Sequence, residues 1–188
     1  MTEALLEIDA LTAGYSGPVV GPLSFRLTRS EILGVVGPNA CGKSTLLAAL
    51  TGSARIFSGR IGKAAGLQIS LQQQQPPKIG GLPLNASDLL ALTGANPDGL
   101  PPWLSAQLGK RLDRLSGGQL QFLYLWSCLL AAADVVLLDE PTNNLDPEGT
   151  AYLEGVLRLR AEAGCGLLVV SHDQRFIDAV CHRKISLG

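Results

Sequence analysis

The fold of this chain is decided by nine residues, Gly37-Pro38-Asn39-Ala40-Cys41-Gly42-Lys43-Ser44-Thr45. A short apolar run, residues 32–36, leads directly into them, and residues 46–50 are strong helix formers. The stretch therefore predicts a buried strand, a glycine loop and a helix, in that order. The backbone N–H groups of such a loop surround a phosphate, and the start of the helix adds partial positive charge. The pattern GxxxxGK[ST] further predicts that Lys43 reaches the β- and γ-phosphates and that the Ser44 hydroxyl binds Mg²⁺.

Two adjacent acids form the second element of the site. Asp139 and Glu140 directly follow residues 135–138, which are all apolar and read as another buried strand. Open α/β sheets bind ligands at the carboxyl ends of their strands, so we expect both acids to lie beside the glycine loop. Asp139 is expected to hold Mg²⁺ through water, and Glu140 to polarise an attacking water. Two acids after a strand are common, and their pairing with the glycine loop favours the functional interpretation.

A third element is the sequence Leu115-Ser116-Gly117-Gly118-Gln119, which precedes a helix expected over residues 118–132. Serine and two glycines before a helix offer exposed backbone donors and a helix N-terminus, which together can bind an anion. One chain rarely needs two phosphate cradles for one nucleotide. We therefore expect this segment to complete the phosphate site of a second copy, although a plain serine N-cap would give the same local pattern.

The remaining pattern indicates an α/β fold with a parallel sheet, because apolar strands alternate with helices. Residues 1–36 alternate like strands, with a break at residues 14–18. Between residues 75 and 132 prolines separate short helical pieces, which predicts a small helical insertion. We expect a single domain, residues 1–188, with a core of residues 1–74 and 133–188 and a helical subdomain of residues 75–132.

The composition favours a soluble cytosolic protein. The chain has 188 residues, 46% of them hydrophobic and 16% charged, and a net charge of −1. This charge offers no basic footprint for direct nucleic-acid binding. No apolar run reaches the roughly 20 residues that a membrane span needs, and the N-terminus does not resemble a signal peptide. The four cysteines show no metal-binding spacing and are expected to be reduced.

Taken in order, the motifs resemble the nucleotide-binding domain of the ATP-binding cassette (ABC) family, over nearly the whole chain. Residues 37–45 resemble its Walker A loop, residues 135–140 its Walker B strand and residues 115–119 its signature motif. The resemblance implies a P-loop NTPase fold with a parallel sheet core, an N-terminal antiparallel β element and a small helical subdomain. It also implies an ATPase that hydrolyses ATP, with Mg²⁺, at the interface of a head-to-tail dimer.

The resemblance extends to residues that would be weak signals alone. Tyr15 resembles the aromatic residue that stacks on adenine, residues 144–146 the D-loop at the dimer interface, and His172 the switch histidine near the γ-phosphate. Gln74 resembles the lever glutamine that senses magnesium, with Gln73 as the alternative. The implied catalytic residues are Lys43, Gln74, Glu140 and His172, and the implied metal ligands are Ser44, Gln74 and Asp139. The implied nucleotide contacts are Tyr15, Gly37, Pro38, Asn39, Ala40, Cys41, Gly42, Lys43, Ser44, Thr45, Ser116, Gly117, Gly118, Gln119 and Asp146.

The sequence also departs from the family pattern. Ala40 and Cys41 stand where the family usually has glycine and a small residue, and Phe122 stands where it usually has arginine. Residues 127–128 are Ser-Cys in place of the common Ala-Arg. These changes put contacts of the helix after the signature motif in doubt more than the chemistry. Because Cys41 lies at a helix start, we hypothesise that thiol reagents inhibit the protein and that ATP protects it.

The resemblance leaves two downstream functions open. Residues 67–74 and 82–84 resemble the compact cassettes of zinc/manganese-type importers. This implies an ATPase subunit on the cytoplasmic face of a membrane, with the permease on a separate chain. Residues 141–146 and 171–178 resemble soluble ABC-F factors of the ribosome, although those carry two cassettes and a charged linker. SMC-type chromosome ATPases would need long coiled coils, for which the spacing of the motifs leaves no room.

Overall fold

The computed structural model describes residues 3–74 and 83–188. Within these residues the strands are β1 (Ala4–Gly14), β2 (Pro18–Thr28), β3 (Ile32–Val36), β4 (Arg55–Lys63), β5 (Ile69–Gln72), β6 (Val135–Asp139), β7 (Gly166–Val170) and β8 (Arg183–Ser186). The helices are α1 (Lys43–Leu50), α2 (Ala86–Thr93), α3 (Pro102–Ser105), α4 (Gly117–Leu129), α5 (Pro147–Glu162) and α6 (Gln174–Val180). A 3₁₀ turn, Leu112–Arg114, precedes α4. No helix in these two ranges is both long and apolar enough to cross a membrane.

Five strands form a parallel sheet in the order β5-β6-β7-β3-β8. Its central strands, β6 and β7, are buried along their whole length, which explains their almost uninterrupted apolar sequences. Successive residues of β6 point to opposite faces, so Val136 and Leu138 enter one apolar cluster and Val135 and Leu137 another. The first cluster includes residues of α4, α5 and α6, and the second includes residues of α1 and β1. The predicted α/β fold is confirmed.

The N-terminal strands form a separate antiparallel sheet in the order β2-β1-β4. Along β1, Leu6 and Ile8 are buried while Glu7 and Asp9 are exposed, as the alternating sequence predicts. The outer side chains pair across strands, Glu7 with Arg26 on β2 and Asp9 with Arg60 on β4. Such exposed pairs contribute at most about 1 kcal/mol each, so the buried face holds this sheet to the core. The N-terminal antiparallel element is confirmed.

Helix α4 carries the predicted signature segment at its first turn. The Ser116 hydroxyl accepts a hydrogen bond from the Gln119 backbone N–H at 3.2 Å, and the Gln119 side-chain oxygen accepts one from the Ser116 N–H at 3.0 Å. This reciprocal capping box starts the helix at Gly117. The helix ends at Leu129, three residues before the predicted end at residue 132. It ends early because the chain turns into β6, where the Arg160 guanidinium reaches two carbonyls of the turn.

Phe122, which stands where the family resembled by the motifs usually has arginine, lies in an aromatic cluster. The Phe122 side chain is fully buried, and its ring centroid lies 5.1 Å from that of Trp103, 6.1 Å from that of Tyr152 and 6.5 Å from that of Trp126. The Trp126 indole also donates a hydrogen bond to the Asn96 carbonyl at 2.8 Å. Phe122 therefore joins α3, α4 and α5 through apolar contact. The neighbouring departure is also accommodated, because the buried Ser127 hydroxyl bonds to a carbonyl of α4.

Phe122→Ala should lower the free energy of unfolding by about 3–5 kcal/mol, because it removes a buried ring and leaves a cavity between three helices. Urea unfolding followed by circular dichroism measures this loss. The matched control is Leu159→Ala on α5, where the leucine is 66% exposed and the change should stay within about 0.5 kcal/mol. A loss below about 1 kcal/mol for Phe122→Ala would show that the aromatic cluster does not hold these helices together.

Candidate active site

The glycine loop and the carboxyl ends of the central strands enclose a cleft of about 410 Å³, here called the loop cleft. It is lined by Val19, Asn39, Ala40, Gly42, Lys43, Ser44, Thr45, Gln74, Asp139, Glu140, Asn143 and His172. Strand β3 ends at the loop, β6 ends at the two acids, and β7 ends just before Ser171 and His172. The parallel sheet thus brings together groups that lie more than a hundred residues apart in the sequence. Their predicted roles remain predictions.

The loop has its shape because two glycines occupy positions that other residues do not fit. Gly42 has φ of 97° directly before α1, and a Cβ atom there would lie 2.8 Å from the Val20 Cβ. A Cβ on Gly37 would lie 2.4 Å from the Leu187 carbonyl oxygen. Ala40 has φ of 63°, a conformation that costs an alanine roughly 1–2 kcal/mol. The Lys43 ammonium donates to the carbonyls of Gly37 and Pro38 at 2.9 and 2.8 Å, so it lies within the loop.

Asp139 and Ser44 supply the oxygen atoms that a hard cation such as Mg²⁺ prefers. Burial raises the pKa of the Asp139 carboxyl, and the nearby charge of Glu140 raises it further. The hydrogen bond with Ser44 and the charge of Lys43 lower it. A cation held against Asp139 would favour its charged form. A carboxylate, a hydroxyl and the amide of Gln74 on one cleft therefore fit the predicted magnesium site.

Glu140 lies at the carboxyl end of β6 with φ of 50°, which turns its side chain towards the end of β7. Its N–H donates to the Val170 carbonyl at 2.9 Å. The carboxylate oxygen Oε2 lies 2.8 Å from the His172 ring nitrogen Nδ1 and accepts a hydrogen bond from the His172 backbone N–H at 3.2 Å. Glu140 is 7% exposed, while the His172 side chain is 62% exposed. A fixed carboxylate beside a phosphate loop can accept a proton from water.

The two glutamines after β5 differ in position. Gln74 borders both the loop cleft and an adjoining cavity of about 290 Å³, whereas Gln73 borders only the adjoining cavity. This favours Gln74 as the residue that reaches the phosphate loop. Tyr15, 58% exposed on the turn between β1 and β2, also borders the adjoining cavity together with Ser44. An exposed aromatic ring at this place fits the predicted role of Tyr15 in stacking on a base.

Two residues of the loop cleft were missed by the sequence reasoning. Val19 on β2 is 49% exposed although apolar, and it lines the cleft beside the glycine loop. Asn143 lines the cleft because the chain turns after β6, where the Asn143 N–H donates to the Glu140 carbonyl at 3.1 Å. An apolar residue close after Tyr15 and an amide three residues after Glu140 were the available signals.

The signature segment does not line the loop cleft of its own chain. Ser116, Gly118 and Gln119 line a different cavity of about 340 Å³, which also contains Asp146 and Trp103. Asp146 caps α5 by accepting a hydrogen bond from the Gly149 N–H at 2.7 Å. Within one chain the two predicted phosphate cradles are therefore separate cavities. A composite site would need the second cradle from another molecule.

Cys41 lies on the side of the glycine loop that faces away from the loop cleft. It borders a cavity of about 370 Å³ together with Val20, Leu23 and Leu187, and it does not line the loop cleft. A group attached to its thiol would therefore press on the loop from behind. The other three cysteines are poorer targets, because burial raises the pKa of the thiols of Cys128, Cys165 and Cys181, that of Cys181 to about 12.

Alkylation of Cys41 should weaken ATP binding by about tenfold or more, because its Sγ packs against Gly37, where an added Cβ would lie 2.8 Å from it, and displacing such a packed contact costs about 1–3 kcal/mol. Bound ATP should slow the alkylation by holding the loop in place. Mass spectrometry measures the modification and titration with a fluorescent ATP analogue measures the affinity. The control is Cys41→Ser, whose ATP affinity should not respond to the reagent. Unchanged ATP affinity after complete modification of Cys41 would end the hypothesis.

Comparison with known proteins identifies the family. Residues 20–143 match the model of the family described as ABC transporter. The chain is 32% identical over 193 residues to the zinc import ATP-binding protein ZnuC of Roseobacter denitrificans, covering 98% of this chain and 76% of the relative. It is 34% identical over 196 residues to the ZnuC protein of Ruegeria pomeroyi, covering 100% of this chain and 77% of the relative.

Solved structures agree on the fold. The ATP-binding subunit of an ABC transporter superimposes with a TM-score of 0.84 at 24% identity, over 97% of this chain and 85% of that one. The archaeal ribosome recycling factor aABCE1, in complex with the ribosomal stalk protein aP1, gives a TM-score of 0.81 at 26% identity. In that case 98% of this chain covers only 37% of the other. The chain thus belongs to the ABC transporter family and is one of its ATP-binding and ATP-hydrolysing cassettes.

Proposed function

We propose that this cassette hydrolyses ATP to drive uptake of a divalent metal ion through a permease on a separate chain. Zinc is the favoured candidate for that ion. The observation that carries the proposal is identity of 32–34% over 90–100% of the chain to proteins named zinc import ATP-binding proteins. These matches also span about three quarters of each relative, so the resemblance is not limited to the nucleotide motifs. The cassette would work on the cytoplasmic face of the membrane.

The loop cleft supports the hydrolytic half of the proposal. Lys43 and the loop N–H groups would bind the phosphates, and Tyr15 would stack on the adenine. Glu140 would accept a proton from the attacking water, and the exposed His172 ring would contact the γ-phosphate. Phosphoryl transfer depends mainly on positioning and on charge stabilisation, and these groups supply both.

The same cleft has the ligands for a magnesium ion. Ser44 and Asp139 would hold it, and Gln74 would reach it when the nucleotide is bound. A bound magnesium ion supplies positive charge that neutralises the phosphate oxygens. Burial raises the pKa of the Asp139 carboxyl, and the positive charge of a bound cation would oppose that shift by favouring the carboxylate.

The separation of the two cradles supports the proposal of a head-to-tail dimer. Ser116 and Gly118 line a cavity away from Lys43, and the Gly118 N–H lies there outside the capping box that uses the N–H groups of Ser116 and Gln119. In the proposed dimer this tip covers the γ-phosphate held by the partner. We also propose that residues 75–132, of which the structure describes 83–132, form the subdomain that carries the tip. ATP would favour the closed dimer and hydrolysis would open it. This closing and opening would be the conformational change that drives transport.

Mixing two inactive variants tests the composite site. Lys43→Ala and Ser116→Arg should each abolish ATP turnover, because each breaks both sites of a symmetric dimer. In a mixed dimer one site keeps the Lys43 of one chain and the Ser116 of the other. An equimolar mixture should therefore recover about a quarter of the unmodified turnover, since half of the dimers each contain one intact site. Phosphate release measures it.

Each variant alone, at the same total concentration, is the control for that mixture. Circular dichroism must show that both variants fold. A mixture of folded variants that stays inactive, while the unmodified chain turns over ATP, would contradict the head-to-tail arrangement.

A ribosome-associated role is the second candidate. The specific observation in its favour is the 26% identity to aABCE1, whose structure contains a ribosomal stalk protein. The match covers 37% of that protein, whereas the zinc import relatives are matched over about three quarters of their length at higher identity. The transporter role is therefore favoured.

Deletion of the gene should reduce uptake of radioactive zinc severalfold and prevent growth in a zinc chelator. The wild-type gene should restore both and Lys43→Ala neither, because uptake needs hydrolysis. Ultracentrifugation of lysate from the strain with the restored wild-type gene shows whether the protein sediments with membranes or with ribosomes. Normal zinc uptake in the deletion strain, together with ATP-dependent sedimentation of the protein with ribosomes, would replace the transporter role with the second candidate.

A further inference from the structure

Ser171 is a fully buried serine between β7 and His172 that the site described so far does not use. Its hydroxyl lies 3.3 Å from the Glu140 oxygen Oε2, and it accepts a hydrogen bond from the Asp173 backbone N–H at 3.1 Å. A serine hydroxyl carries a single proton. Because the Asp173 N–H supplies the proton of one bond, the serine proton is available for the carboxylate.

The residue that donates to the Ser171 hydroxyl, Asp173, is itself held in place. Asp173 caps α6, and its carboxylate oxygen Oδ1 accepts hydrogen bonds from the N–H groups of Arg175 at 3.0 Å and Phe176 at 3.2 Å. Phe176 is buried in the apolar cluster beneath the sheet. The orientation of the Ser171 hydroxyl is therefore set by the packed start of α6 rather than by solvent.

The contacts to Glu140 are all on one carboxylate oxygen. The Ser171 hydroxyl, the His172 N–H and the His172 ring all meet Oε2, and within residues 3–74 and 83–188 no hydrogen bond reaches Oε1. One oxygen is thus anchored and the other is available to accept a proton from water. The His172 ring is mostly exposed and can turn away, whereas Ser171 cannot move without disturbing the sheet.

We propose that Ser171 is the positioning residue for Glu140: its hydroxyl holds Oε2 so that Oε1 faces the water that attacks ATP. The hydrogen bond from Ser171 to Oε2 would remain when the His172 ring leaves Glu140 to contact the γ-phosphate. This inference rests on the proposed role of Glu140 as proton acceptor. The competing explanation is that Ser171 only satisfies the Asp173 N–H at the start of α6, which is a structural role.

Ser171→Ala should lower the kcat for ATP by about tenfold or more, because a hydrogen bond to a charged group is lost. The KM and the dissociation constant of ATP should stay within about twofold, because Ser171 does not line the loop cleft. Ser171→Thr keeps the hydroxyl and should restore most of the kcat. Circular dichroism and thermal unfolding establish that the variants are folded at the assay temperature.

A double-mutant cycle separates positioning from structure. In the Glu140→Gln background, Ser171→Ala should change the residual single-turnover rate by less than about twofold, because the group on which Ser171 acts is gone. A structural role would reduce the rate by the same factor in both backgrounds. If Ser171→Ala does not fold, Ser171→Cys, with a weaker donor of similar shape, takes its place in the cycle.

Two results would overturn the proposal: a kcat within about twofold of the unmodified chain for folded Ser171→Ala, or equal losses in both backgrounds. A folded Ser171→Thr as slow as Ser171→Ala would also count against it. The role of Glu140 is tested separately by Glu140→Gln alone. If that variant turned over ATP normally, the proposed function of Glu140 would fail, whatever the behaviour of Ser171.

Discussion

The parallel hydrogen-bonded register of β6, β7 and β3 is the constraint on which the rest of the structure depends. Asp139 lies opposite Val170, and Val35 lies opposite the same residue on the other side. The three strands therefore end at one edge, where β3 continues into the phosphate loop, β6 into Glu140 and β7 into Ser171. A slip of one residue between any two strands would turn the acids or the serine to the opposite face. The chemistry of these side chains therefore depends on the alignment of the strands that carry them.

The sequence predicted those parts of the site whose signal is local. An apolar run followed by glycines and a lysine determines a strand, a loop and a helix within about twenty residues, and both acids follow their strand directly. Strand β4 was not predicted because it is largely exposed at its sheet edge and lacks apolar periodicity. Val19 enters the loop cleft only because β2 passes behind Gly42. The bond between Ser171 and Glu140 spans 31 residues, which no local pattern encodes.

The helical segment shows how the chain tolerates departures from its family. An arginine is usual in the family where Phe122 stands, and in this chain the rings of Trp103, Trp126 and Tyr152 surround that position. From the sequence alone, the contacts of the helix at this position were in doubt. In the fold it is the centre of a cluster that joins three helices, so the signature segment is supported by apolar burial instead of ionic contact. Its first turn keeps the capping box, which satisfies the N–H groups of Ser116 and Gln119.

The contact of Lys43 with its own loop has a consequence for recognition. An ammonium group has three protons, and two of them bond to the carbonyls of Gly37 and Pro38. The rotamer entropy of a long side chain, about 2 kcal/mol for lysine, is therefore largely spent during folding and not at the arrival of an anion. The ammonium group is thus already placed in the loop when an anion arrives, whereas a mobile cation of equal charge would still have to be ordered on binding.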